Sequence, residues 1–183
     1  MREKIKNEDL GRITIDAFKK AEKTPVVVIL DNVRSLNNVG SAFRTCDAFL
    51  IEKLYLTGIT GTPPHRDIHK TALGATDSVE WEYAENTLEI VTKLKNAGYQ
   101  ILAVEQVTKS VSLEKFKPEP DTKYAVVFGN EVFGVSEEVV TAADDCLEIP
   151  QFGTKHSLNV SVSIGIVLWD FHLKMNTKAK HLR

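Results

Sequence analysis

Residues 25–49 read PVVVILDNVRSLNNVGSAFRTCDAF, and the fold class turns on how this stretch divides. After Pro25 the chain is β-branched or aliphatic through Leu30, with no polar position to turn toward water. A strand that is apolar on both sides belongs in the middle of a parallel sheet covered by helices. From Val39 the period changes. Val39, Ala42, Phe43, Cys46 and Phe49 follow the i, i+3, i+4, i+7 spacing of an amphipathic helix over residues 39–50, with Asn37 or Asn38 placed to cap it. A buried strand that feeds a helix within a few residues is half of a βαβ unit.

The same alternation continues outward. Short apolar runs at residues 53–57, 99–104, 124–128 and 146–149 read as strands, and 79–83 adds a candidate; helical patterns occupy 88–97 and 137–143. Residues 8–22 hold Leu10, Ile13, Ala17, Phe18 and Ala21 at helical spacing, so an amphipathic helix precedes the first strand. The fold class expected is α/β, a mostly parallel sheet flanked by helices. Residues 158–171 are ambiguous: Leu158, Val160, Val162, Ile164 and Ile166 alternate like a strand, while Val160, Ile164, Val167, Leu168 and Phe171 form a helical stripe. A helix is favoured, because Val167 and Leu168 break the alternation and so long a strand would be unusual. Being apolar on more than one face, it needs cover on more than one side, which implies a homodimer.

Composition bounds the rest. A chain of 183 residues fits one domain, and 43% hydrophobic with 26% charged residues is ordinary for a globular protein, excluding a disordered chain or a disulfide scaffold. No apolar run approaches the roughly 20 residues of a membrane span and the N-terminus lacks the core of a signal peptide, so no membrane association and a cytoplasmic location are expected. Cys46 and Cys146 read as buried thiols in a reducing compartment. With 23 basic and 25 acidic residues, net charge −2 makes no case for nucleic acid. The two ends are locally basic, however: Arg2, Lys4, Lys6 and Arg12 at one, Lys174, Lys178, Lys180 and Arg183 at the other. These are phosphate contacts or simply solvated termini.

In open α/β sheets ligands bind beyond the carboxyl ends of the strands. Three loops there carry chemistry. In the first, Arg44 lies off the buried stripe and leans back over the turn of Gly40 and Ser41, where the missing side chain leaves room, aiming a guanidinium near the helix start. An exposed helical arginine is otherwise only solvated. The second, residues 125–139 (AVVFGNEVFGVSEEV), runs from a strand into Gly129, Glu131 and Gly134, with Ser136 able to cap the next helix. It is neither a Walker A loop nor a GxGxxG fingerprint, and a solvent-facing Glu131 in a plain turn is the bland alternative. The third, residues 148–159 (EIPQFGTKHSLN), offers Ser157 and Asn159 just before the long apolar segment.

Other features are weaker. His65 and His69 have no further cysteine or histidine nearby, so no metal is expected. His156 beside Ser157 lacks a GxSxG elbow, which argues against a hydrolase. Trp81, Tyr83 and Trp169 are candidates for base stacking, Trp169 more readily a core or dimer residue. Residues 65–81, with Arg66, His69 and Lys70, are the better candidate for a binding loop, one that faces RNA if the resemblance described next holds, or an ordinary surface loop.

NNVGSAFR (37–44), FGNEVFGVS (128–136) and IPQFG followed by SLNVSVSIGI (149–166) together resemble the three ordered motifs of the SpoU/TrmH branch of the SPOUT RNA methyltransferases. The resemblance spans residues 25–174 and divides the chain into an N-terminal helical extension at 1–24, the methyltransferase domain at 25–174 and a basic tail at 175–183. It implies a SPOUT (α/β-knot) fold with a C-terminal deep trefoil knot, and S-adenosylmethionine bound at Val104, Gly129, Ile149 and Leu158. It also implies a catalytic set of Asn38, Arg44, Glu131, Ser157 and Asn159, with Arg44 reaching the substrate from the neighbouring subunit of a homodimer. The activity implied is methylation of a ribose 2′-hydroxyl of structured RNA, tRNA favoured over rRNA. The alternatives are a base-directed RNA methyltransferase, or a domain that binds the cofactor or RNA without transfer; retention of all five polar positions argues against the last.

Overall fold

The computed structural model describes residues 3–6 and 9–175. Strands β1 (Thr24–Asp31), β2 (Ile51–Thr57), β3 (Trp81–Ala84), β4 (Tyr99–Val104), β5 (Val111–Ser112), β6 (Lys123–Phe128) and β7 (Asp145–Glu148) form one sheet. Their order is β3-β2-β1-β6-β4-β7-β5, and all of these pairings are parallel. The strands expected from sequence are present with ends shifted by a residue or two; β5, only two residues long, has no periodicity to read.

β1 carries the prediction of two-sided burial. Val26, Val28 and Leu30 face one layer and Val27 and Ile29 the other, none more than 1% exposed. The first layer holds α2 (Leu36–Ala48) and α7 (Val160–Met175), with buried side chains from α1 (Ile15–Lys20), α3 (Arg66–Ala72) and α4 (Ala75–Ser78). The second layer is α5 (Thr87–Asn96) and α6 (Glu137–Ala142). α7 is a helix, and the stripe Val160, Ile164, Val167, Leu168 and Phe171 is its buried face. At roughly 1.5–3 kcal/mol per large apolar side chain, that face anchors the helix by on the order of 10 kcal/mol before entropy is deducted. The opposite face leaves Val162, Ile166, Trp169 and Leu173 exposed.

Three local expectations are corrected. The leading helix does not span residues 8–22: it is α1, because Gly11 adopts φ +63° and the Thr14 hydroxyl accepts the Ala17 N–H, starting the helix there. Leu10 and Ile13 are therefore exposed and Phe18 alone is buried from this helix. The cap of α2 is Ser35, whose hydroxyl accepts the Asn38 N–H at 3.3 Å, so the helix begins before either Asn37 or Asn38. Residues 65–81 are not a loop. His65 caps α3 by accepting the Asp67 N–H at 3.1 Å, and Ile68 and Ala72 bury one side of that helix.

Among the described residues no helix is long and apolar enough to cross a membrane. Cys46 is buried and burial pushes its thiol pKa up, whereas Cys146 is only half-buried; both are free thiols. Of the basic ends, Arg2, Lys178, Lys180 and Arg183 lie outside the described residues. Lys174 donates to the Leu113 carbonyl at 2.6 Å and lies 2.6 Å from the Asp170 carboxylate, so it belongs to the body of the fold.

Candidate active site

β6, sixth in the chain, inserts between β1 and β4. The direction of winding therefore reverses beside β1, and the loops after β1, β4, β6 and β7 gather at one edge of the sheet, the position where α/β folds bind ligands. The buried carboxylate of Asp31 ends β1 and ties this edge together. It accepts the Thr87 hydroxyl at 2.6 Å, the Asn32 amide at 2.9 Å and the Ser136 N–H at 2.9 Å. Ser136 begins α6 without using its own hydroxyl as a cap, contrary to expectation; the Asp31 bond holds it instead. The Asn32 carbonyl accepts the Asn130 side-chain amide at 2.7 Å, which carries the tie into the loop after β6.

Asn38, Glu131 and Asn159, 121 residues apart at the extremes, form one hydrogen-bonded row. The Glu131 carboxylate accepts N–H bonds from Arg34 and Ser35 and the side-chain amide of Asn38, all at 3.0 Å. The Asn38 side-chain oxygen then accepts the Asn159 amide at 3.2 Å, and the Asn159 oxygen accepts the Ser161 N–H at 2.9 Å and hydroxyl at 2.7 Å. A carboxylate only accepts, so it fixes the orientation of Asn38, which in turn fixes that of Asn159. Partial burial pushes the Glu131 pKa up, but this is outweighed by the N–H groups of Arg34, of Glu131 itself and of Ser35, and by the Asn38 amide; the result lies below the ordinary carboxylate value.

Beside this row lies a cavity of about 450 Å³. Val104, Gly129, Ile149 and Leu158 all line it, as do Glu131, Ser157 and Asn159. Its walls combine apolar side chains such as Phe128 and Leu147 with the carboxylates of Glu105, Glu131 and Glu148; among the described residues no lysine or arginine lines it. Gly134 holds φ +70°, which favours glycine, and a Cβ there would lie 2.0 Å from a Glu105 carboxylate oxygen and would displace it. Glu105 fills the space by accepting the Val135 N–H at 2.9 Å.

Arg44 does not join the cavity. It is exposed on α2, and its guanidinium makes no hydrogen bond or ion pair with any described residue. The room expected over Gly40 is absent too: a Cβ at Gly40 would lie 2.1 Å from the Thr71 hydroxyl and 2.3 Å from the Ile68 carbonyl. The glycine exists for close packing of α2 on α3, not for the guanidinium. Arg66, His69 and Lys70 are exposed on α3. Trp81 packs edge-on against Phe43, Tyr83 donates to the Gly58 carbonyl at 2.9 Å, and Trp169 is half-exposed on α7, stacked with His172. His156 lines the cavity beside Ser157. The ties made by Asp31, Asn32, Asn130 and Glu105 escaped the sequence reading; polar residues clustered directly after buried strands were the available signal.

Residues 25–169 match the model of a family described as the SpoU rRNA Methylase family. The chain is 34% identical over 173 residues to a tRNA (guanosine(18)-2′-O)-methyltransferase of Aquifex aeolicus (strain VF5), an alignment covering 92% of this chain and 78% of the relative. In three dimensions it resembles the crystal structure of the A. aeolicus TrmH/SpoU tRNA modifying enzyme, with a TM-score of 0.79 and 31% identity over 90% of this chain and 82% of that one. The AdoMet-bound rRNA methyltransferase from Sinorhizobium meliloti shares the fold, with a TM-score of 0.76 and 24% identity over 91% of this chain and 61% of that one.

Proposed function

The chain belongs to the SpoU rRNA methylase family, and on that premise we propose that it moves a methyl group from S-adenosylmethionine to a ribose 2′-hydroxyl of tRNA or rRNA. The observation that carries the proposal is the row Glu131–Asn38–Asn159, which joins residues of all three motifs beside one cavity that Glu131 and Asn159 line. tRNA is the favoured substrate, and the name of the Aquifex relative makes guanosine 18 the first nucleotide to examine.

The residues present fit the cofactor. S-adenosylmethionine is a cation at sulfur and at its amino group, and the cavity offers carboxylates and apolar surface without a competing lysine or arginine among the described residues. Val104, Gly129, Ile149 and Leu158, all lining the cavity, would hold it. When bound, the cofactor supplies an electrophilic methyl group.

The chain's own residues must then position a hydroxyl in line and help it shed a proton. Glu131 is a poor base: its pKa is depressed and its oxygens already accept several donors, so it serves as the fixed end of the row. Asn159 and Ser157 orient the ribose or its proton. The guanidinium of Arg44 donates and does not accept, so it fixes the neighbouring phosphate and stabilises developing alkoxide charge. It comes from the partner subunit of a homodimer. The exposed stripe of Val162, Ile166, Trp169 and Leu173 on α7, and the separation of Arg44 from its own cavity, support that assembly. The proposal includes the C-terminal trefoil knot, the division at residues 25 and 174, and action in the cytoplasm.

The test is incubation with tritiated donor and separate tRNA and rRNA pools, followed by nucleoside analysis. Label in a 2′-O-methylated nucleoside from tRNA is expected. A methylated base would replace the ribose reading, and cofactor binding without incorporation into either pool would replace the enzymatic one.

A further inference from the structure

Phe133 and Phe152 are 85% and 96% exposed, the highest values among the large hydrophobic side chains of the described residues. Both stand on loops that border the cavity. Phe133 lines it directly, and Phe152 follows Gln151, which also lines it. The turn bearing Phe133 is tightly held: Asn130 and Gly134 exchange backbone bonds of 2.9 Å in both directions. The Asn130 side-chain oxygen also accepts the N–H groups of Val132 at 2.8 Å and Phe133 at 3.2 Å. The Asn130 amide in turn is anchored on the Asn32 carbonyl at 2.7 Å. A turn so fixed holds its ring in water by construction, giving up the burial that a looser loop would seek.

Charge indicates what the rings meet. Glu105, Glu131 and Glu148 line the cavity, and the exposed Glu137 and Glu138 follow the Phe133 turn on α6. These carboxylates disfavour phosphates inside the cavity; the exposed Arg34 and Lys155 on the flanking loops and the Arg44 of the proposed partner subunit are left to hold the backbone outside it, and the bases beside the ribose need a neutral grip. Aromatic rings offer that grip through the faces of unstacked bases. Phe152 is flanked by Gln151 and Gly153, unlike the four apolar residues that run along one side of α7, whereas Phe133 follows Val132, which is itself 65% exposed.

We propose that Phe133 and Phe152 are stacking platforms for unpaired bases beside the ribose that enters the cavity, which requires the target nucleotide to lie in a loop or other splayed segment of the RNA. The proposal rests on the methyltransferase reading above, and its test separates the two. Phe133→Ala and Phe152→Ala are compared with the full-length wild type for affinity toward total tRNA in mobility-shift titrations, for S-adenosylmethionine affinity by calorimetry, and for sedimentation. Each variant is expected to bind tRNA roughly 5- to 150-fold more weakly, the equivalent of about 1–3 kcal/mol for one base–aromatic stack, with mass unchanged, and Phe152→Ala, whose ring does not line the cavity, with cofactor affinity unchanged as well. Phe133→Trp is expected to restore binding and to show emission quenched by tRNA beyond any change in the wild type. Unaltered tRNA affinity in both alanine variants overturns the proposal, as does a fall in mass that marks the rings as a subunit contact. Weakened binding without methyl transfer by the wild type leaves the stacking role standing and removes the enzymatic reading; transfer with unaltered affinity does the reverse.

Discussion

Glu131 illustrates how one carboxylate does several jobs by geometry alone. It receives two backbone N–H groups ahead of α2 and the amide of Asn38, and these lower its pKa against the opposing effect of burial. A depressed pKa in the folded state contributes stability that is fully present above the unfolded value of roughly 4.3 and lost as pH falls through the folded one. The stability advantage of the wild type over Glu131→Gln, measured by urea denaturation across pH, is therefore expected to be largest near neutrality and to shrink below about pH 4. An advantage that grows with acid would contradict the assignment. At pH 7 the same substitution frees Asn38 and Asn159 to reorient, and a displacement of about 1 Å at a reacting centre costs on the order of 100-fold in rate. The polar types at 38, 131 and 159 were readable in the sequence, but their partnership was not, since hydrogen bonds across 93 and 121 residues leave no local pattern.

At the scale of elements, the contact between α2 and α3 is a tight constraint near the site. Gly40→Ala would press a methyl group onto the Ile68 carbonyl and the Thr71 hydroxyl, which itself donates to the Asn37 carbonyl at 3.0 Å. Backbone atoms cannot yield as a side-chain end can, so a loss of about 1–3 kcal/mol is expected. For a domain of this size that corresponds to roughly 2–4 °C of melting temperature per kcal/mol, measurable by calorimetry; an unchanged melting temperature would mean that the helices separate freely. This pair also shows where sequence reading stops. The central strands and α7 were legible because their apolar residues repeat at a period over many positions. α3 contains two such residues, Ile68 and Ala72, among charged neighbours and follows Pro63 and Pro64, so it reads as a loop. Only its packing on α2 makes it a helix.

For the whole molecule, the division between cavity and Arg44 sets the expected behaviour. Arg44→Ala should fold and bind cofactor normally yet lose transfer, and Asn159→Ala should lose transfer as well. If Arg44 acts across a two-fold interface, mixing the two inactive proteins restores about a quarter of wild-type activity, because half of the dimers are mixed and each of these has one intact site. Mixed dimers with no recovery would place Arg44 in its own subunit's chemistry or outside it. Ile166→Lys on the exposed face of α7 is expected to yield a folded, inactive monomer by sedimentation. The position of α7 has a further consequence, in time rather than space. During synthesis the chain has completed all seven strands, together with Asn38 and Glu131, before Asn159 and α7 emerge. Until then Val26, Val28, Leu30 and Phe128 lack part of their cover, and the row of polar groups lacks its last member. A nascent chain is thus sticky and inert together, and a single late event, the docking of α7, ends both conditions.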